Sequence, residues 1–254
     1  NRLTTLSVSR ESTYHNRNAD VNWLRYRELP SSNSNVTAVS EHFLSLFEGL
    51  NVFAYSAPAA SKKQDLRKYF GVPEGSRILL ATMSSQDERI AAQTIGVMPQ
   101  TPGILFASQI DWINALLEYA RSNEDVFLIV RVHPRDFPNK RESVKSDQAF
   151  ELEKLFFSLP SNVAINWPNQ NISIYDLAEI TDVVLNGWSS VGKEMTLFGI
   201  PVVIYSSALI GSVYPSSLNY LGETKDDYFA QIAQALKDGW SGKRIIEAYR
   251  WYAY

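Results

Sequence analysis

The chain has 254 residues, of which 45% are hydrophobic and 20% are charged, and its formal net charge is −3. This composition is typical of a globular protein with enough apolar material for the core of one or two domains. The small negative charge argues against a nucleic-acid-binding protein that acts through its overall charge, although local basic patches can still occur.

Rare residue types exclude further classes of site. No cysteine is present, which excludes disulfides, thiolate metal sites and cysteine nucleophiles. The three histidines, His15, His42 and His133, contain no pair at zinc-ligand spacing, so we expect no histidine-based metal site. No stretch approaches the roughly 18 consecutive apolar residues of a membrane-spanning helix.

The two ends of the sequence indicate a fragment of a longer protein. The chain starts at Asn1 without a methionine, and no basic segment followed by an apolar one forms a visible signal peptide. It stops within an aromatic run at 249–254. The sequence leaves open whether an upstream segment has been removed.

The first 60 residues are rich in Asn and Ser and differ in texture from the rest. The predicted elements are an exposed loop at 30–35, a helix at 41–50 and a strand at 51–55. A linker at 57–60 and a second helix at 62–70 follow. We place a domain boundary near residue 58. Residues 1–58 are interpreted as the remnant of an N-terminal domain, because they are too few and too polar to hold their own core.

From residue 77 onward, short apolar runs alternate with segments of helical periodicity. The predicted strands are 77–83, 126–132, 163–166, 182–186 and 201–205, and the predicted helices are 110–121, 148–159, 174–180, 190–198 and 226–237. Strands interleaved with helices predict an α/β fold with a Rossmann-like, doubly wound parallel sheet. We assign this domain to 59–242 and a closing helix to 243–254.

Three polar loops follow predicted strands, at 84–89, 133–136 and 187–194. In an open parallel sheet, ligands bind beyond the carboxyl ends of the strands, where loops lead into helices. We therefore expect these loops to lie at one edge of the sheet and to form the binding site.

The third loop matches a phosphate-binding P-loop only in part. Gly187, Gly192 and Lys193 fit the pattern, but Glu194 replaces the Ser or Thr whose hydroxyl binds magnesium. A carboxylate there would repel phosphates, and the next predicted strand has no aspartate to hold a metal. We therefore do not expect a P-loop NTPase.

A simpler use of the third loop stays open. Ser189 and Ser190 would cap the following helix, where free N–H groups and the helix dipole attract an anion. Glu194 lies one turn further on the same face, where its carboxylate would accept hydrogen bonds from ribose hydroxyls. The alternative is an ordinary N-cap with a helix-stabilising glutamate. Because two other polar loops are expected at the same edge of the sheet, we favour the ligand site over the ordinary N-cap.

The second loop is basic. His133 and Pro134 follow the strand directly, and Arg131, Arg135, Lys140 and Arg141 surround them. Strand alternation places Arg131 and His133 on one face. A histidine beside cations suits a phosphate or carboxylate contact, and a solvated basic loop with a packing histidine is an equal alternative.

The first loop offers two adjacent carboxylates, Asp87 and Glu88. One of them would act as a general base, or as a nucleophile towards an activated sugar. Acidic residues in a first helical turn are also common stabilisers. Most tryptophans are expected to pack, but Trp188 lies inside the third loop and is a candidate ligand contact.

The loops belong to longer sequence blocks. These are LIVRVHPR at 128–135, NISIYDL at 171–177 ahead of TDVVL at 181–185, and SSVGKE at 189–194 running into FGIPVV at 198–203. In this order they resemble the C-terminal, nucleotide-binding half of GT-B glycosyltransferases over residues 77 to 220. The nearest group is the capsule-polysaccharide and Kdo transferases, which share His-Pro and Ser-Ser motifs with bacterial sialyltransferases.

The resemblance implies transfer of a sugar from a nucleotide donor, with CMP-β-Kdo as the leading candidate. By this likeness His133 and the Ser189–Ser190 pair would hold the donor phosphate, Glu194 the ribose, and the stretch 167–172 would lie against the base. The implied donor-binding set also includes Pro134, Arg135, Trp188 and Asn171. Members of the group need neither metal nor cofactor. Asp87 lies where members of this group carry a catalytic acid. If Asp87 attacked the anomeric carbon of the donor sugar, the enzyme would retain the configuration at that carbon. If Asp87 acted as a base towards the acceptor, the enzyme would invert it.

The chain departs from the GT-B pattern in size, since a complete enzyme has two Rossmann-like halves. The helix at 243–254 resembles the one that returns to the N-terminal, acceptor-side domain. The implied partners are a CMP-sugar donor and a glycan or glycolipid acceptor, without nucleic acid. A nucleotide donor implies a cytoplasmic location, and a lipid-linked acceptor allows peripheral association with the inner membrane.

Three alternatives remain open. A CDP-glycerol or CDP-ribitol phosphotransferase of the teichoic-acid type shares the His-Pro and Ser-Ser blocks and differs in the second phosphate of its donor. The UDP-sugar 2-epimerases are a third relative, disfavoured because their further acids and histidines are not found. A non-catalytic nucleotide-binding module is the alternative from a different class.

Overall fold

A computed structural model describes residues 23, 26–50, 64–85, 91, 93–96, 105–139, 143–187, 189–205 and 218–253. The strands within these ranges are β1 (Arg77–Thr82), β2 (Val126–Arg131), β3 (Val163–Asn166), β4 (Val183–Asn186), β5 (Val202–Ile204) and β6 (Tyr220–Leu221). They form one parallel sheet in the order β3-β2-β1-β4-β5-β6. The predicted Rossmann-like, doubly wound parallel sheet is confirmed.

Helices cover both faces of this sheet. They are α1 (Asn33–Phe47), α2 (Leu66–Phe70), α3 (Gln109–Ser122), α4 (Asp147–Leu155), α5 (Ile174–Ala178), α6 (Val191–Leu197), α7 (Lys225–Asp238) and α8 (Gly242–Ala253). Helices α3, α4 and α7 pack on one face, and α1, α2, α5, α6 and α8 pack on the other. No helix of the described ranges is both long and apolar enough to cross a bilayer.

Side chains of β1 alternate between the two apolar layers. Leu79 and Ala81 pack with α3 and α7, whereas Ile78 and Leu80 pack with the helices of the opposite face. All four side chains are at most 1% exposed. Because both faces are covered, the strand is a continuous apolar run rather than an alternating one.

The order of the strands reverses between β1 and β4. The chain builds β1, β2 and β3 outward in one direction, and then returns to place β4 on the other side of β1. Such a reversal leaves a crevice at the carboxyl ends of the strands, where open α/β sheets bind ligands. The last residues of four strands stand side by side here, because Thr82 pairs with Arg131 and Asn186, and Arg131 pairs with Asn166.

The N-terminal helix begins earlier than predicted. Ser32 accepts a hydrogen bond from the Asn35 amide at 3.2 Å and caps α1, so the predicted loop at 30–35 is wrong in its second half. The Asn and Ser residues that predicted a loop lie on the exposed side, while Val39, Phe43 and Leu46 are buried. These polar residues belong to the cap and to the solvent face of an amphipathic helix.

Other boundaries shift by a few residues. The helix predicted at 148–159 ends at Leu155, and the one predicted at 62–70 begins only at Leu66, where the Asp65 carboxylate accepts from the Lys68 amide at 3.0 Å. The edge strand β6 was not predicted, because two residues carry no periodicity. The strand predicted at 51–55, the linker at 57–60 and the boundary near residue 58 lie outside the described residues and stay predictions.

Helix α8 packs against α1 and its flanking turn. The Arg250 guanidinium donates to the Arg27 carbonyl at 2.7 Å, and the Trp251 ring meets Trp23 edge-on, with centroids 5.4 Å apart. Trp23 is only 1% exposed. The apolar side of α1 thereby joins the layer that covers β1 and β4.

Candidate functional site

A cleft of about 120 Å³ opens at the carboxyl edge of the sheet, beside the β1–β4 reversal. Its walls come from β1, β2, α1, α5 and α6 and the loops after the strands: Leu46, Thr82, Met83, Arg131, Val132, His133, Pro134, Ile174, Tyr175, Ser189, Ser190, Val191 and Glu194. The second and third predicted loops therefore meet in one cleft, and the end of β1 that leads into the first loop borders it.

His133 lies two residues after the end of β2 and precedes a short 3-10 turn, Pro134–Asp136. Its Nδ1 accepts a hydrogen bond from the Arg135 backbone amide at 3.2 Å. In the neutral imidazole the proton is therefore assigned to Nε2, which makes that nitrogen a donor. Pro134 fixes the direction of the turn and lines the cleft, and the Arg135 backbone amide orients the His133 ring.

Arg131 supplies a positive charge at the floor of the site. Its guanidinium donates to the Asn166 amide oxygen and, at 2.9 Å, to the Ile172 carbonyl. Burial lowers the pKa of Arg131 to about 10, opposed by the nearby Tyr175 and Asp176. The side chain thus keeps its proton at neutral pH.

A short relay ties the end of β1 to the third loop. The Thr82 hydroxyl donates to Asn186 Oδ1 at 2.7 Å, and Asn186 Nδ2 donates to the Ser189 carbonyl at 3.0 Å. Thr82 is 1% exposed and Asn186 is fully buried. Buried, satisfied polar groups of this kind hold a loop in one position.

The two serines differ from the predicted pair of caps. Ser190 precedes α6 but has helical dihedrals, φ −59° and ψ −22°, and its hydroxyl donates to Glu194 Oε1 at 3.2 Å rather than capping the helix. Ser189 Oγ accepts from the Val191 amide at 3.4 Å. The prediction that both serines cap is therefore wrong for Ser190, because a capping side chain needs an extended backbone to reach the helix amides.

Glu194 lies within the cleft, and both of its oxygens accept protein hydrogen bonds. Oε1 accepts from Ser190, and Oε2 accepts from the Tyr175 hydroxyl at 3.1 Å. Burial raises the pKa of Glu194, while the two hydroxyls, Lys193 and His42 oppose the rise. The predicted acceptor carboxylate is thus present, but it already belongs to a network.

Tyr175 is a site residue that sequence reasoning did not single out. It is 2% exposed and its ring stacks on Phe47 of α1, with centroids 4.4 Å apart and an interplanar angle of 19°. Burial, and next the Glu194 carboxylate, raise the pKa of its hydroxyl, so Tyr175 acts as a donor. The signal in the sequence was its place in the block at 171–177.

A smaller cavity of about 40 Å³ adjoins the cleft. Arg131, Val132 and Pro134 line both, and Asn166, Trp167, Pro168, Asn171 and Ile172 complete the smaller one. Asn171 has a left-handed backbone, φ 52°, at the end of the turn Pro168–Gln170. Asn171 therefore lies beside the main cleft rather than in it.

Three predicted site residues cannot be placed. Asp87, Glu88 and Trp188 lie outside the described residues. Among the residues that are described, no three potential metal-ligating side chains cluster.

The cleft presents hydrogen-bond donors and a positive charge in one part and a carboxylate acceptor in another. Arg131 and the Nε2–H group of His133 suit an anion such as a phosphate, while Glu194 suits hydroxyl donors. A hydroxylated compound that carries a phosphate matches this combination.

Comparisons with known proteins detect likeness in three dimensions only. No family model and no curated protein matches the chain. Among solved structures, UDP-GlcNAc 2-epimerase from Neisseria meningitidis is 16% identical over 72% of this chain, with a TM-score of 0.43. The glycosyltransferase SnogD from Streptomyces nogalater is 15% identical over 76%, with a TM-score of 0.38. The wall teichoic acid polymerase TagF is 15% identical over 98%, with a TM-score of 0.43.

The chain spans less than two thirds of each of these proteins. The matched region covers 42% of the epimerase, 43% of SnogD and 57% of TagF. At this level of identity and structural similarity the likeness does not identify a function, which is argued below from the cleft.

Proposed function

We propose that the chain is the nucleotide-binding half of a GT-B glycosyltransferase of bacterial capsule or lipopolysaccharide assembly. It transfers an acidic sugar, with Kdo as the leading candidate, from a CMP-activated donor to a glycan acceptor. The observation that carries the proposal is the meeting of His133, Ser190 and Glu194 in one cleft, although the sequence separates the first from the other two.

The chemistry of the cleft fits a nucleoside monophosphate. His133 and the two serines would bind the phosphate, with the Arg131 charge behind them, and Glu194 would accept hydrogen bonds from the ribose. The smaller cavity beside Trp167 and Asn171 offers room next to the cleft for part of the base. These assignments follow the resemblance of the sequence blocks and are supported by the cleft.

The transfer step needs stabilisation of the departing phosphate. The bond between the anomeric carbon and the phosphate oxygen breaks, and its electron pair passes to CMP, whose growing charge Arg131 and His133 would stabilise. The acceptor hydroxyl adds to the anomeric carbon and loses its proton to a base. Asp87, with Glu88 beside it, is the candidate from the sequence for that base, which would invert configuration, or for a nucleophile that first takes the sugar from the donor, which would retain it.

A CDP-linked donor is the second candidate. Arg131 and His133 both line the cleft. The Arg131 charge and the His133 N–H group could therefore bind the two phosphates of a CDP donor. A CDP-glycerol or CDP-ribitol phosphotransferase would use this feature, and a non-catalytic module would bind the nucleotide without transfer.

Calorimetry with CMP, CDP and UDP tests the proposal. We expect saturable binding that prefers CMP, and a loss of about tenfold in CMP affinity in His133→Ala, since one charge-assisted hydrogen bond is worth about 1.5 kcal/mol or more. Lys237→Ala, which removes an exposed cation from α7, is the control and should leave CMP affinity within twofold. A preference for CDP would favour the phosphotransferase, and absence of binding would contradict both.

A further inference from the structure

The Glu194 carboxylate has two hydroxyl donors of very different character. The Ser190 hydroxyl belongs to an exposed residue on the loop proposed to hold phosphate, whereas the Tyr175 hydroxyl belongs to a residue that is 2% exposed. Each carboxylate oxygen accepts one of these hydroxyls. Since such an oxygen can accept about two hydrogen bonds, each keeps capacity for a ligand hydroxyl.

Aromatic residues of α1 and the residue that follows α6 hold the Tyr175 ring. It stacks on Phe47, and Phe43 meets it edge-on with centroids 5.9 Å apart. Phe198, just after α6, lies 6.4 Å away on the same cluster. The backbone amide of Tyr175 also donates to Ser173 Oγ at 3.2 Å. Its hydroxyl therefore has a fixed position, which a side chain on a surface loop would not provide.

We infer that Tyr175 is the positioning residue that holds Glu194 in the orientation that recognises the 2′-hydroxyl of the ribose. The inference rests on the proposed function and explains how the same cleft would select ribonucleotides over 2′-deoxyribonucleotides. A phosphate bound near Ser190 competes with Glu194 for the serine hydroxyl, so the Tyr175 hydrogen bond is the one that remains in the complex. A buried site that pairs with a substrate hydroxyl discriminates against the analogue that lacks it.

The chain contains a matched pair for comparison. Tyr220 donates to the Asp238 carboxylate at 2.7 Å, which is also a tyrosine–carboxylate hydrogen bond. It joins β6 to the end of α7 on the surface and does not line the cleft. Tyr220→Phe removes this tyrosine–carboxylate hydrogen bond, together with the bond that the Tyr220 hydroxyl accepts from Arg244, without touching Glu194.

The experiment compares dissociation constants for CMP and 2′-deoxy-CMP by calorimetry. In the intact chain we expect CMP to bind about tenfold more tightly, which is equivalent to about 1.4 kcal/mol. In Tyr175→Phe we expect CMP affinity to fall five- to tenfold while 2′-deoxy-CMP affinity stays within twofold. Tyr220→Phe should keep the wild-type ratio.

Two further variants separate positioning from a loss of packing. Glu194→Gln and the double variant Tyr175→Phe/Glu194→Gln should show the same CMP affinity, because the tyrosine acts through the glutamate. Phe47→Leu keeps the Tyr175 hydroxyl but removes the ring on which Tyr175 stacks. We expect this variant also to reduce the preference for CMP over 2′-deoxy-CMP. It keeps the test decisive if Tyr175→Phe does not fold.

The outcomes are distinguishable. Equal losses for both nucleotides in Tyr175→Phe and Phe47→Leu, additive losses in the double variant, or an unchanged ratio would overturn the positioning role while the proposed function stands. Absence of nucleotide binding by the wild-type chain would overturn the proposed function and this inference with it.

Discussion

The ligand-binding role proposed for Glu194 comes with a cost in stability. Its carboxyl group accepts hydrogen bonds most strongly when it is ionised, yet burial raises its pKa. The hydroxyls of Tyr175 and Ser190, and the charges of Lys193 and His42, oppose that rise. A half-buried acid with a perturbed pKa in a cleft is a candidate for ligand binding, which is the role proposed for Glu194.

Glu194→Gln should therefore separate stability from binding. A carboxyl whose pKa is raised in the folded chain destabilises it increasingly as pH rises from the ordinary carboxyl pKa, about 4.3, through the folded value. We expect the variant to be at least as stable as the wild type at pH 7, with the difference vanishing below about pH 4. CMP affinity at pH 7 should fall about tenfold, the value of one good hydrogen bond to a charged group.

Urea unfolding from pH 3.5 to pH 8 measures the first effect, and calorimetry the second. Glu151→Gln, on the exposed side of α4, serves as the control and should show neither change. A variant that is less stable than the wild type at pH 7 but not at pH 3.5 would contradict this description of Glu194.

Sequence reasoning brought His133, Ser190 and Glu194 to one edge of the sheet, and the cleft contains all three, but it did not single out Thr82, Asn186 or Tyr175. His133, Ser190 and Glu194 were predictable because the carboxyl ends of parallel strands share one edge. Tyr175 was not, because a buried aromatic within an apolar block has the same pattern as a core residue. The prediction for Ser190 failed on backbone dihedrals, which a Ser-Ser pair does not specify.

At the scale of elements, one polar contact joins the ends of β1 and β4 at the reversal of the strand order. Both strands present a polar last residue, and Thr82 and Asn186 pair in register and through their side chains. Asn186 then holds the Ser189 carbonyl. The strands were predictable from continuous apolar runs, but their order in the sheet was not, since periodicity carries no information on neighbours.

Thr82→Val should loosen the third loop. The substitution keeps the shape of the side chain but leaves the buried Asn186 Oδ1 without its donor, at a cost of about 1–3 kcal/mol in the free energy of unfolding. We also expect weaker CMP binding, because Asn186 positions the Ser189–Ser190 segment. Chemical denaturation and calorimetry on the same samples provide both values.

Thr181→Val is the matched control for this prediction. The Thr181 hydroxyl donates to the Leu177 carbonyl at 2.7 Å, just before β4 and therefore at the opposite edge of the sheet. It should cost stability without changing CMP affinity. Equal binding losses in both variants would mean that global destabilisation, and not the Thr82–Asn186 contact, controls the loop.

At the scale of the whole molecule, the cleft depends on a helix near the start of the chain and on one at its end. Helix α1 supplies Leu46 to the lining and Phe47 to the stack under Tyr175. Helix α8 packs on α1 through the layer that also contains Ala248. Residues far apart in sequence thus determine the shape of the cleft, although the segments with recognisable motifs lie between them.

Trp251→Ala tests this dependence. Loss of the edge contact with Trp23 should reduce the free energy of unfolding by about 2 kcal/mol, below the range for a fully buried tryptophan because Trp251 is only half-buried. We expect faster amide exchange along α1 and a several-fold loss of CMP affinity, although Trp251 does not line the cleft. Phe157→Ala, which truncates a side chain of a residue that is 93% exposed, should change neither quantity. If Trp251→Ala destabilises the chain and accelerates exchange in α1 while CMP affinity stays within twofold, then α1 closes the core but does not shape the nucleotide site.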